Sequence, residues 1–347
     1  MPHSQLPADA ALAQLLDAAR GLHRSGKLQQ AMNAYQAILE RQPDNADALY
    51  LLGLVIYRLG NLKQAEKHIL HAIALQPEHA LAHASLAQIY QDLSDHKRAV
   101  LYFQRAAELE PENAVLLNGL GLSLSHIGQI EHALAAISQA VDLKPKMPEL
   151  HNNLGNLYRS LGDLQAAEKS YCRALAIQPE FTQALNNLGV VYQQQQKSSR
   201  AIEKFSAAIR LNDNYAEAHN NMGAALNDLG DKESALVHFQ KAIEINPRFV
   251  EAAINAGMVQ QNLGQHELAR ATLDRVIDIE PYNLAALWAR CVSELETVYP
   301  STEAIEVARQ AYQSRMMALL ESTDLGDTNQ RLQAVTAVGA LQPFLLP

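Results

Sequence analysis

The sequence has little cysteine, no surplus of positive charge and no long apolar run, and each scarcity removes a class of function. Only two cysteines, Cys172 and Cys291, stand among 347 residues. They fall far apart on helical patterns, so no disulfide is expected and both read as buried thiols. Lysine and arginine total 28 against 37 acidic residues, a net charge of −9. A nucleic-acid grip needs concentrated basic surface, so nucleic-acid binding is not expected. No apolar run approaches the length of a membrane span. The opening MPHSQLPADA has neither the basic nor the apolar stretch of a signal peptide. The chain therefore reads as soluble and cytoplasmic.

The signatures of catalysis are also missing. Gly119-Leu120-Gly121 begins a dinucleotide-type loop, but Leu124 stands where its third glycine belongs, and the whole lies in a helical pattern. Among 13 histidines, His79/His83 and His68/His71 have helical spacing, yet neither pair has a third ligand. No serine sits on a nucleophile turn. No catalytic residue, cofactor or metal is assigned, and the chain is not expected to be an enzyme.

What is present is repetition. Pro148 to Phe181 holds two amphipathic helical patterns separated by Gly162-Asp163 and closed by Pro179. His151, Leu154 and Tyr158 share one face of the first; Leu164, Ala167, Tyr171, Ala174 and Ile177 mark the second. Gly155 and Ala167 let the two helices approach closely. The pattern returns every 34 residues, and eight units in register run from Leu12 to Asn283. The small second-helix residue is Ala31, Ala65, Ala99, Ala133, Ala167, Ala201, Ala235 and Ala269. A helix pair of this kind cannot bury its apolar surface alone, so each unit needs a neighbour.

These residues resemble the tetratricopeptide repeat, with its Leu-Gly pair, its Ala-x3-aromatic pair and its closing proline. The resemblance implies an all-α, right-handed superhelix of antiparallel helix pairs. The expected organisation is a lead over 1–11, eight units over 12–283, a divergent helix pair over 284–323 and a linker over 324–347. Unit six departs from the pattern: Gln193 to Ser199 replace the glycine turn and Asp213 replaces the proline, which predicts a looser hairpin. Beyond it, Arg331 to Ala340 reads as a short helix and Leu341 to Pro347 as an apolar tail.

A second resemblance lies in Trp288-Ala289-Arg290-Cys291, Val298-Tyr299-Pro300, Ala308-Arg309-Gln310-Ala311-Tyr312 and Gln342-Pro343-Phe344. This segment is similar to the junction between repeats and catalytic domain in bacterial SPINDLY-like O-linked N-acetylglucosamine transferases. It implies a substrate-recruiting region for a glycosyltransferase domain. A free-standing assembly scaffold is the alternative.

Asparagine supplies the candidate site. The sixth position of four successive units is Asn153, Asn187, Asn221 and Asn255, and the fifth adds Asn152, Asn186 and Asn220. A carboxamide donates and accepts together, so it can pair with both polar groups of a peptide. In the transferases that this chain resembles, such a ladder lies on the concave wall and holds extended polypeptide. Protein or peptide partners in that groove are therefore expected, with a homodimer through the convex faces left open. Glu149, Glu217 and Glu251 at second positions argue against a basic clamp for a terminal carboxylate.

Overall fold

The computed structural model describes residues 8–294 and 301–322. Among them the regular elements are eighteen α-helices. The chain divides into two compact units, residues 1–177 and 178–347. The first holds α1 (Ala8–Arg24) with α2 (Leu28–Arg41), α3 (Ala46–Arg58) with α4 (Leu62–Leu75), and α5 (Ala80–Asp92) with α6 (His96–Leu109). It continues with α7 (Ala114–His126) and α8 (Ile130–Leu143), then α9 (Pro148–Ser160) and α10 (Leu164–Ile177). The second holds α11 (Thr182–Gln194) with α12 (Ser198–Leu211) and α13 (Ala216–Asp228) with α14 (Lys232–Ile245). It closes with α15 (Val250–Asn262) and α16 (His266–Ile279), then α17 (Leu284–Val292) and α18 (Thr302–Ser322).

Six of the pairs, α3–α4 and α7–α8 through α15–α16, are locked by one large side chain seated on bare backbone. At Gly189 of α11 an added Cβ would lie 2.5 Å from the Phe205 ring of α12. Gly155 stands in the same relation to Tyr171, and Gly223 to Phe239. All three rings are buried. Full burial of such a ring stabilises by about 1.5–3 kcal/mol. The α5–α6 pair departs from this. Ala87 fills the glycine slot, and the Phe103 ring lies against Gly119 of the following α7 instead.

The turns inside the first eight pairs share one hydrogen-bond pattern, save that Leu229 in α13–α14 donates to Leu226 instead. In α9–α10, the Leu161, Gly162 and Asp163 amides donate to the carbonyls of Leu157, Arg159 and Tyr158. Gly162 has φ +78°, a left-handed conformation that favours glycine. Asp163 Oδ1 then caps α10 by accepting the Ala166 amide at 2.9 Å. The α11–α12 turn corrects the expectation of a looser hairpin. Gln195, Gln196 and Lys197 donate to Val191, Gln193 and Tyr192 in the same arrangement. Gln196, at φ 59°, takes the conformation that glycine takes elsewhere. The turn is intact, and its cost is local, about 1–2 kcal/mol for a left-handed non-glycine residue.

Asp213 is also absorbed without loss. His83 Nε2 donates to Pro77 O, His151 Nε2 to Pro145 O and His219 Nε2 to Asp213 O, at 2.8, 2.9 and 3.2 Å. Each histidine ties the start of a first helix to the preceding loop. The acceptor is a backbone carbonyl, so the side chain carried there does not matter.

Within each unit the first helices of neighbouring pairs touch one another. These contacts are α1 with α3, α3 with α5, α5 with α7 and α7 with α9, then α11 with α13, α13 with α15 and α15 with α17. Among the described residues, second helices of neighbouring pairs within a unit do not touch. The first helices therefore form the inner wall of each unit. The second unit ends on a polar clasp. Buried Arg290 donates to Asp274 Oδ1 at 2.7 Å and to Glu294, and Glu294 also accepts from Arg315. Burial alone would lower the Arg290 pKa, but the two carboxylates override it and raise it.

Neither cysteine forms a disulfide, and Cys291 is buried. Cys172 is exposed, against expectation. Its neighbour Tyr171 turns into the core, and successive side chains on a helix point about 100° apart, so Cys172 faces outward. No helix among the described residues is long and apolar enough to cross a membrane. The expectations for residues 1–7, for Val298-Tyr299-Pro300, for the helix over Arg331–Ala340 and for the apolar tail lie outside the described residues.

Candidate functional site

The sixth-position asparagines stand on the inner wall, Asn153 on α9 in the first unit and Asn187, Asn221 and Asn255 on α11, α13 and α15 in the second. All four are half-buried. The fifth-position residues Asn152, Asn186 and Asn220 are buried behind them. The two rows are joined across helices. Asn221 Nδ2 donates to Asn186 Oδ1 at 3.0 Å, and Asn255 Nδ2 donates to Asn220 Oδ1 at 3.0 Å. In the first unit Asn153 Nδ2 donates to Asn118 Oδ1 at 2.9 Å. The amides of Asn153, Asn221 and Asn255 are thus each aimed by a fifth-position amide of the preceding repeat.

Asn118 was missed by sequence reasoning. Its signal was available: the fifth position reads Asn118, Asn152, Asn186 and Asn220 without a break. The same register holds with other side chains, since Tyr50 Oη lies 3.3 Å from Ser85 Oγ.

Further partners fix the row. Asn220 Nδ2 donates to Glu251 Oε1 at 3.1 Å. Burial raises the Tyr215 pKa, the Glu217 charge adds to the rise, and a hydrogen bond with Asn186 opposes it. A second kind of cross-helix bond lies on the inner wall of each unit. Tyr57 donates to Asp92 Oδ2 at 2.6 Å, and Gln193 donates to Asp228 Oδ2 at 2.8 Å. Burial and then the Asp92 carboxylate push the Tyr57 pKa up to about 12.

Second positions differ from helix to helix, and α9 of the first unit carries the exposed carboxylate Glu149 there. In the first unit the second positions of α5 and α7 are Leu81 and Val115, exposed by 53% and 62%. In the second unit the same positions of α13 and α15 are the exposed carboxylates Glu217 and Glu251. Among the described residues no cluster of three or more His, Cys, Asp or Glu could hold a metal ion. The arrangement offers directional hydrogen bonds from rigid helices, which suits recognition of an extended chain.

Comparison with known proteins agrees with this architecture. Models described as tetratricopeptide repeat or TPR repeat match residues 16–80, 57–114, 155–196, 182–215, 216–249 and 238–271. Together they cover more than half of the chain. No curated protein matches it. Among solved structures, a tetratricopeptide repeat protein from Parabacteroides merdae has 16% identity and a TM-score of 0.60, over 72% of this chain and 99% of that one. The Cut9–Hcn1 hetero-tetramer of the APC/C has 19% identity and a TM-score of 0.58 over 86% of this chain. The match spans only 55% of the Cut9–Hcn1 chain. Pseudomonas aeruginosa pilF has 20% identity and a TM-score of 0.52, over 60% of this chain and 94% of that one. At these identities the likeness establishes the fold alone. With the 34-residue helix pairs and the family models in agreement, the chain belongs to the tetratricopeptide repeat proteins, a family of protein–protein interaction modules.

Proposed function

We propose that the inner walls bind polypeptide in extended conformation through its main chain, with Asn153, Asn187, Asn221 and Asn255 as the contact residues. The observation that carries this reading is the aimed amide row. Asn221 and Asn255 each commit one N–H to the amide behind. A primary carboxamide has two N–H groups and an acceptor oxygen, so each keeps a donor and an acceptor for a ligand. A peptide group needs that combination. Asn118, Asn186 and Asn220 act as positioning residues that fix the rotamers of Asn153, Asn221 and Asn255.

Recognition of this kind is tested by replacing one main-chain amide of a bound peptide with an ester, which removes the N–H and weakens the carbonyl. The full chain is titrated calorimetrically with the amide peptide and its ester forms. A net bond contributes about 0.5–1.5 kcal/mol, so ester replacement at a contacted position should weaken binding several-fold. Ester forms that all bind as tightly as the parent would contradict main-chain recognition.

The finer reading, recruitment of substrates to a glycosyltransferase domain, rests on the residues between Trp288 and Phe344 that carry that resemblance. Trp288, Arg290 and Cys291 are buried at the end of the second unit. The reading frame beyond the Pro347 codon separates this reading from a free-standing scaffold: a nucleotide-sugar domain favours the first and an immediate stop codon the second.

A further inference from the structure

We infer that the inner wall of the second unit takes a basic segment of polypeptide, one whose lysine or arginine side chains flank the main chain held by Asn221 and Asn255. This rests on the amide-row reading above and adds the chemistry of the partner to it.

The observation is that, apart from Arg290, the lysines and arginines of the described helices of the second unit stand on its outer layer, whereas acidic residues stand on both layers. The inner helices α11, α13 and α15 contain no lysine or arginine. Their acidic residues are Glu217, Asp228 and Glu251. Arg290 on α17 is the one basic residue of the inner row, and it is buried and neutralised by Asp274 and Glu294. The outer helices carry cations throughout: Arg200, Lys204 and Arg210 on α12, Lys232 and Lys241 on α14, Arg270 and Arg275 on α16. The first unit shows no such division. Its inner helices include Arg20, Arg58 and Arg159, and Arg20 pairs with Asp47 at 2.9 Å on the neighbouring inner helix.

Position sharpens the argument. Glu217 precedes Asn221 by four residues and Glu251 precedes Asn255 by four. Residues four apart share one helical face, so each inner helix presents a carboxylate beside an aimed amide. Both carboxylates belong to exposed residues. Asn220 occupies one oxygen of Glu251, which fixes that carboxylate toward the wall and leaves its second oxygen as an acceptor. A segment held at the amides would place alternate side chains toward these carboxylates. Acidic side chains there would meet like charge with no cation on the inner helices to offset it, and basic ones would be favoured.

The test uses the full chain and three labelled peptides of one extended Ser/Gly host, carrying lysine, glutamine or glutamate at alternate positions. Affinity is read by fluorescence anisotropy at low and high salt. The lysine peptide should bind tightest, on the order of fivefold over the glutamine peptide for two exposed pairs. That ratio should shrink as salt rises. In the Glu217→Gln/Glu251→Gln variant the lysine-to-glutamine ratio should fall to about one. Equal affinity for all three peptides, or a ratio that survives in the double variant, overturns the inference while leaving the amide row standing. No binding of any of the three overturns the amide-row reading and this inference together.

Discussion

The side-chain amide of Asn221 donates to the side-chain oxygen of Asn186, 35 positions earlier, at 3.0 Å. The bond joins the sixth position of one repeat to the fifth position of the repeat before it, and Asn255 makes the same bond to Asn220. The buried member should matter more for stability and the outer member more for binding. Asn186→Ala strips the partner from the Asn221 amide and opens space in the wall. We expect a loss of about 1–3 kcal/mol by denaturant titration. Asn221→Ala should cost less than Asn186→Ala in the same experiment. The reverse order would show that the outer row, too, is mainly structural.

Close approach at Gly189 predicts a steric penalty. A methyl group there meets the Phe205 ring at 2.5 Å. Gly189→Ala should destabilise by about 1–3 kcal/mol through overpacking. Gly21, within α1, has nothing within 4 Å of an added Cβ. Gly21→Ala should therefore gain about 0.5–1 kcal/mol from helix propensity. Thermal melts of the two variants should move in opposite directions.

Gln196 holds a positive φ of 59° without being glycine. Gln196→Gly should relieve that strain and stabilise by about 1 kcal/mol, despite the greater freedom of glycine in the unfolded chain. Amide exchange around Lys197 and Tyr192 should slow in the variant. Unchanged or faster exchange would mean that the turn carries no strain.

His219 and His238 form a pH-sensitive contact inside the α13–α14 pair. Their Nδ1 atoms lie 3.1 Å apart, and His219 Nε2 donates to Asp213 O. Neutral His219 must therefore accept at Nδ1, with His238 donating. Burial depresses the pKa of both; for His219 the Asp213 contacts oppose this and Lys241 adds to it, while for His238 the charge of His219 adds to it. The folded state then binds fewer protons than the unfolded state. Stability from this pair is complete above the ordinary histidine value of about 6.5 and falls as pH drops below it. Melting should be lower at about pH 5.5 than at about pH 7.5, with a smaller difference in His238→Gln. An equal drop in the variant would assign the effect to other groups.

The fold was legible because its determinants are short-range and repeated. Gly189 with Phe205, and Gly162 with Asp163, recur at fixed offsets, so one unit teaches the rest. Two turn features were misread from residue type alone. Gln196 looked like a broken turn because glycine preference is a matter of cost, and a turn held by three backbone hydrogen bonds can bear that cost. Asp213 looked like a lost stop, yet the loop is held by a histidine bond to its carbonyl, which any residue supplies. The outer asparagine row was visible in the 34-residue spacing. Its coupling to the inner row was not, because the bonded residues lie 35 apart and belong to different repeats. Asn118 was overlooked because Gly119 beside it broke the sixth-position row.

The central claim is that the outer amides bind main chain while the core holds without them. The most direct measurement compares the wild type with the Asn153→Ala, Asn187→Ala, Asn221→Ala, Asn255→Ala variant for calorimetric affinity toward one neutral extended peptide, with melting followed in parallel. Three net bonds on the wall of the second unit, at about 0.5–1.5 kcal/mol each, should make binding there undetectable once lost, while the melting temperature falls only modestly. Full retention of peptide affinity in the variant would contradict the claim.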